Sequence, residues 1–127
     1  MFDKRSDIIH RYSRAEALRD GVLVDAGKLA HEAGFRYGVA LTRAAWERCV
    51  SIPDGIIGQD EEGRLWDVLF MLAAAVRRGG EGTEVPFVVH VRNSNREGTP
   101  PAVKLRAVCG PGDDGDPSVT IMLPGES

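Results

Sequence analysis

The sequence predicts an α+β fold, with short N-terminal helices and one long buried helix packed on a C-terminal antiparallel β-meander of about three strands. Three observations predict it. Apolar residues recur at helical spacing between Glu61 and Arg78, and capping signals for shorter helices precede them. After Gly80 the β-branched residues gather into separate runs. Short polar loops, of the kind that join antiparallel neighbours, separate those runs.

Residues 1–12 are mostly polar, with Ile8 and Ile9 as exceptions, and read as a flexible segment ahead of a single domain over 13–127. Ser13-Arg14-Ala15-Glu16 is a capping box, in which hydroxyl and carboxylate each take the other residue's backbone N–H. A helix is expected from Arg14 to about Arg19, closed by Gly21, because glycine accepts the left-handed backbone of a C-terminal cap. Val22-Leu23-Val24 reads as extended. Asp25 is expected to cap a second short helix through Leu29 and Ala30, ending at Gly34. Arg36 to Leu41 reads as extended again, and Thr42 caps a third helix with Ala45, Trp46, Cys49 and Val50 on its apolar face. Pro53-Asp54-Gly55 marks a turn.

Leu65, Val68, Leu69, Leu72 and Val76 form the stripe of the long helix, and Trp66, Phe70, Met71 and three alanines widen it. A helix apolar almost all round is expected to be covered on several sides. Acids at Asp60, Glu61 and Glu62 and bases at Arg77 and Arg78 suit its dipole. Its apolar surface exceeds what one small sheet covers, so either the short helices or a second copy must complete the burial. The strands are expected over Val85 to Arg92, Val103 to Cys109 and Val119 to Leu123.

The chain has 127 residues, 43% hydrophobic and 28% charged, with 19 acids against 16 bases and a formal charge of -3. This balance suits one soluble domain. It argues against direct nucleic-acid binding, which calls for a basic face, and against nucleic-acid mimicry, which calls for a dense acidic one. The longest apolar stretch, Leu65 to Val76, is interrupted by Asp67 and falls short of the roughly 20 residues that cross a bilayer. With no signal-like core behind Met1, a cytoplasmic location is expected. Cys49 and Cys109 form no CxxC pair and read as small buried side chains.

Asp113, Asp114 and Asp116 crowd between glycines and prolines in Cys109-Gly110-Pro111-Gly112-Asp113-Asp114-Gly115-Asp116-Pro117. Calcium wants six or more oxygens, and no bidentate glutamate follows. Asp-Gly between two β-like runs is a hairpin signal, so the stretch reads as a turn. His10, His31 and His90 are scattered and match no zinc spacing, and no cofactor fingerprint is present. Asp67, a charge inside the most apolar helix, must reach solvent or a donor such as Arg64 one turn earlier. Arg92, Asn93, Asn95 and Arg96 offer donors in the loop after the first expected strand.

Tyr12 to Asp25, Glu32-Ala33-Gly34-Phe35-Arg36-Tyr37 with Val39-Ala40-Leu41-Thr42, Gly63 to Leu69 and Ala107 to Gly115 together resemble a family of small proteins carried on bacterial plasmids, phages and other mobile elements. That resemblance implies a context in which small proteins block host defence, as anti-restriction and anti-CRISPR proteins do, by occluding an effector surface. The expectation is a non-enzymatic binding module for a host protein or defence effector complex. The surface expected to bind comprises Arg92, Asn93, Asn95, Arg96, Asp113, Asp114 and Asp116, with no catalytic residues, cofactor or metal. The alternative is a small enzyme. His10-Arg11-Tyr12-Ser13 before a short helix and Gly21 resembles the NAD-pocket entry of ADP-ribosyltransferases, with Glu84 the candidate for their later glutamate. Nucleic-acid binding is the third reading.

Overall fold

The computed structural model describes residues 13–79 and 82–126. The flexible segment expected over 1–12 therefore lies outside the described residues, as do His10 and Tyr12. Helix α1 spans Arg14–Asp20, β1 Leu23–Asp25, α2 Lys28–Glu32, β2 Gly38–Thr42, α3 Arg43–Cys49 and α4 Glu61–Arg77. Three strands follow: β3 over Glu84–His90, β4 over Ala102–Pro111 and β5 over Pro117–Met122.

The helix boundaries have local causes. Ser13 and Glu16 form the reciprocal capping box of α1, and Gly21 closes it at a φ of 79°, a conformation that a side chain would resist. Thr42 caps α3 by accepting the N–H of Ala45. Asp60 caps α4 by accepting the N–H of Gly63 at 2.6 Å, with Glu61 and Glu62 in the first turn and Arg77 in the last. The cap expected from Asp25 is corrected. Asp25 closes β1, Gly27 occupies the N-cap of α2, and the Asp25 carboxylate accepts the Gly27 N–H at 3.1 Å.

The α+β class holds, but the expected C-terminal three-stranded meander is corrected to a five-stranded mixed sheet in the order β1-β2-β5-β4-β3. The extended segments of the N-terminal half are strands of this sheet. β2 lies parallel to β5, with Val39 beside Val119 and Leu41 beside Ile121, and β1 pairs antiparallel on its outer side. Val39, Ala40 and Leu41 are all buried, which requires cover on both faces of the sheet. β5 is thus an interior strand, and β1 and β3 are the edges. Pro86, which has no N–H to offer, sits on edge strand β3.

One face of the sheet carries the main core. Leu41, Phe87, Val89, Leu105 and Ile121 meet Leu65, Val68, Leu69 and Leu72 of α4, with α2 and α3 packed beside that helix. Side chains alternate along a strand, so Ala40, Thr120 and Met122 face the other way. There α1 and the tail after β5 provide the cover, and Ala17, Ala40 and Met122 are buried outside the main core. The expectation that α4 is covered on several sides is also corrected. On this face α2, α3 and α4 form a single layer, and the outer face of α4 leaves Phe70 53% and Trp66 36% exposed.

Candidate functional site

The bend between β4 and β5 is built before it is used. The strand ladder ends at the Pro111–Pro117 pair. The Gly112 N–H then donates to the Asp116 carbonyl at 2.6 Å, and the Asp114 carboxylate accepts the Asp116 N–H at 3.1 Å. Gly115 turns the chain at a φ of 87°. This local frame points Asp113 at the start of α1, where its carboxylate accepts the N–H groups of Arg14 and Ala15 at 2.8 and 2.9 Å. Those N–H groups have no partner within the helix, so Asp113 satisfies donors that Ser13 leaves open.

Arg14 completes the latch from the other side. Its guanidinium donates to Thr120 Oγ1 at 2.7 Å and to the Val119 carbonyl at 2.8 Å. Burial lowers the pKa of this guanidinium from its ordinary value, and the negative fields of Asp25 and Asp113 oppose that shift. The β4–β5 bend, α1 and β5 are held as one rigid corner.

Two grooves flank this corner. One, of about 460 Å³, is lined by Arg14, Arg36, Tyr37, Asp114 and Asp116 among others. The other, of about 990 Å³, runs past Arg14, Val22, Arg43, Thr120 and Met122. Tyr37 is 46% and Val22 50% exposed, so each groove presents one large apolar side chain amid charges of both signs. Glu126 closes the end of the larger groove. Its carboxylate accepts the Thr42 hydroxyl at 2.7 Å and the Leu123 N–H at 2.8 Å, and its carbonyl accepts from Arg106.

The other half of the expected surface lies elsewhere. Residues 91–101 join the end of β3 to the start of β4, whereas the acidic bend follows the end of β4. At about 3.3 Å per residue, strand β4 separates the two loops by roughly 30 Å. Arg92, Asn93 and Asn95 are also spent within the molecule. Arg92 donates to the Arg96 and Gly98 carbonyls, folding its own loop. Asn93 accepts from Arg64 and donates to the Arg48 carbonyl. Asn95 accepts the Ile57 N–H and donates to the Gly55 carbonyl at 2.9 Å. Arg96 is exposed.

Arg64 is the hub of that loop. It is 5% exposed and donates to Gln59 Oε1, the Ser51 carbonyl, Asn93 Oδ1 and the Arg92 carbonyl. Burial lowers its pKa. It is therefore no partner for Asp67, which stands exposed to solvent. His90 Nδ1 donates to the Pro100 carbonyl at 2.9 Å. Glu84 pairs with Arg106 at 2.9 Å. Cys49 is buried, which pushes its thiol up to about 11, and Cys109 is exposed rather than buried as expected. Among the described residues, no three His, Cys, Asp or Glu side chains gather as a metal site. Among them too, no helix is long and apolar enough to cross a membrane.

Sequence reasoning reached the acidic bend but missed Arg14, Arg36, Tyr37, Val22 and Arg43 as its neighbours. Arg14 was visible only as part of a capping box, and its contacts on β5 lie 105 and 106 residues away.

These features define an α+β protein whose mixed sheet carries a rigid, groove-flanked corner. The chain belongs to a family of unknown function, DUF6573, whose sequence model matches residues 1–127. No curated protein and no solved structure matches it.

Proposed function

We propose that this protein is a non-enzymatic binding module that acts by covering a partner's surface, and that the corner around Arg14 and Asp113 is where it binds. One observation carries this reading. Two preformed grooves meet at a rigid latch, and each holds one exposed apolar anchor, Tyr37 or Val22, within a rim of charges. Protein interfaces have that anatomy: a few anchoring side chains, a polar rim and little reorganisation on binding. Asp114, Asp116 and Arg36 in the smaller groove, and Arg43 in the larger, supply charges of both signs for selecting one partner over another.

The resemblance to accessory proteins of plasmids and phages supports a partner within a bacterial defence system, with inhibition by occlusion as the mechanism. The test is survival of an invading plasmid or phage in cells with an active restriction or CRISPR system, with and without this protein. Protection by the native protein, lost in a Tyr37→Ala/Val22→Asp variant that remains folded, is the expected result. Protection that survives both substitutions would overturn the assignment of the surface. A lack of protection against every system tested would overturn the defence reading.

A further inference from the structure

We infer that the outer face of α4 is a homodimer interface, in which two copies pack their α4 helices antiparallel across a two-fold axis at Phe70. This stands on α4 alone and is independent of the groove reading.

The face is mostly apolar, with exposed Asp67 on its flank and Arg77 at its far end. Trp66 and Phe70 lie one turn apart on the side away from the core, and Ala73 and Ala74 continue the row. α2 and α3 pack beside α4 without covering this row. An exposed apolar row on a helix of this length marks a contact surface.

The charges name the occupant. Glu61 and Glu62 stand exposed at one end of α4, and Arg77 and Arg78 at the other. Among the described residues none of these four forms an ion pair. A second copy laid antiparallel brings each acidic end beside the other copy's basic end, and it sets the two helix dipoles in their favourable orientation. A parallel arrangement would instead juxtapose like charges.

The same alignment satisfies shape. With the axis at Phe70, residues equally far before and after it face one another. Trp66 then meets the second copy's Ala74, a large side chain over a small one. Glu62 lies beside the second copy's Arg77, the basic residue on its own flank of the seam. Two-fold symmetry repeats both pairs, so one self-complementary patch supplies the whole contact. The grooves around Arg14 lie across the sheet from α4 and stay open in both copies. On the groove reading above, on which this consequence alone rests, the dimer is a bivalent binder, able to hold two sites on a repeated partner more tightly than either alone.

Sedimentation of the full chain over a concentration series tests this. The expected result is a reversible rise toward twice the 13.8 kDa of one chain. Phe70→Glu should hold the protein at the monomer mass while its circular dichroism stays unchanged, because this side chain lies outside the core. Glu62→Arg should raise the dimer dissociation constant roughly tenfold, since symmetry counts the lost pair twice. Adding Arg77→Glu to that variant should restore the native value to within about threefold. A native protein that stays monomeric at every concentration overturns the inference. So does a dimer indifferent to Phe70→Glu, or a charge-reversed double variant no tighter than Glu62→Arg alone.

Discussion

Asp113 accepts the backbone N–H of Arg14 at 2.8 Å, across 99 residues of chain. The contact ties the bend after β4 to the first turn of α1, and that turn sends the Arg14 guanidinium back to β5. A run of acids that could suggest a metal loop is thereby given a mechanical role. Asp113 holds the corner, while Asp114 and Asp116 form one rim of a groove.

Removing that contact should loosen the corner without unfolding the sheet. Asp113→Ala strips the acceptor from two helix N–H groups and is expected to cost about 0.5–2 kcal/mol, the range for losing a helix N-cap. A thermal melt checks the loss. Hydrogen exchange should locate it in residues 13–20, leaving β3 and β4 protected.

Arg64 and Arg96 should behave as opposites although both are arginines near one loop. Arg64→Met leaves the Ser51 and Arg92 carbonyls and Asn93 without their buried donor, so the cost should be roughly 2–3 kcal/mol. Arg96→Ala should change stability by less than about 0.5 kcal/mol, as surface substitutions do. Denaturant unfolding of the two variants separates these values.

Alkaline pH should destabilise the protein through Cys49. Its thiol is raised from 9.0 to about 11 in the folded state by burial. Between those values the unfolded chain loses this proton and the folded chain keeps it, so the unfolded state binds fewer protons and stability falls as pH rises. The loss should approach roughly 2–3 kcal/mol above pH 11, at about 1.4 kcal/mol per pH unit, and be absent below pH 8. Cys49→Ala should remove this part of the slope in a pH series of unfolding curves, whatever its own fixed cost in packing.

Much of the fold was legible because its signals are local. The capping box at Ser13, the Thr42 cap, the acids at the start of α4, the stripe from Leu65 to Leu72 and the alternation of Val103, Leu105 and Ala107 each declare themselves within a few residues. The sheet was misjudged where the signal is not local. β1 has three residues, too few for a period, and the partnership of β2 with β5 joins Val39 to Val119 across most of the chain. The candidate site was half legible for the same reason. The acidic bend announces itself by composition, but its neighbours Arg14, Tyr37 and Val22 come from the other end of the sequence. Arg92, Asn93 and Asn95 looked available because a sequence shows donors without showing the carbonyls that take them.

The most direct test of the groove-flanked corner as the binding surface is a hydrogen-exchange footprint of the protein with its captured partner. The account predicts slowed exchange in residues 36–38 and 112–118, around Tyr37 and the acidic bend, with residues 92–98 unchanged. Slowed exchange confined to 92–98, with the corner unaffected, would contradict it.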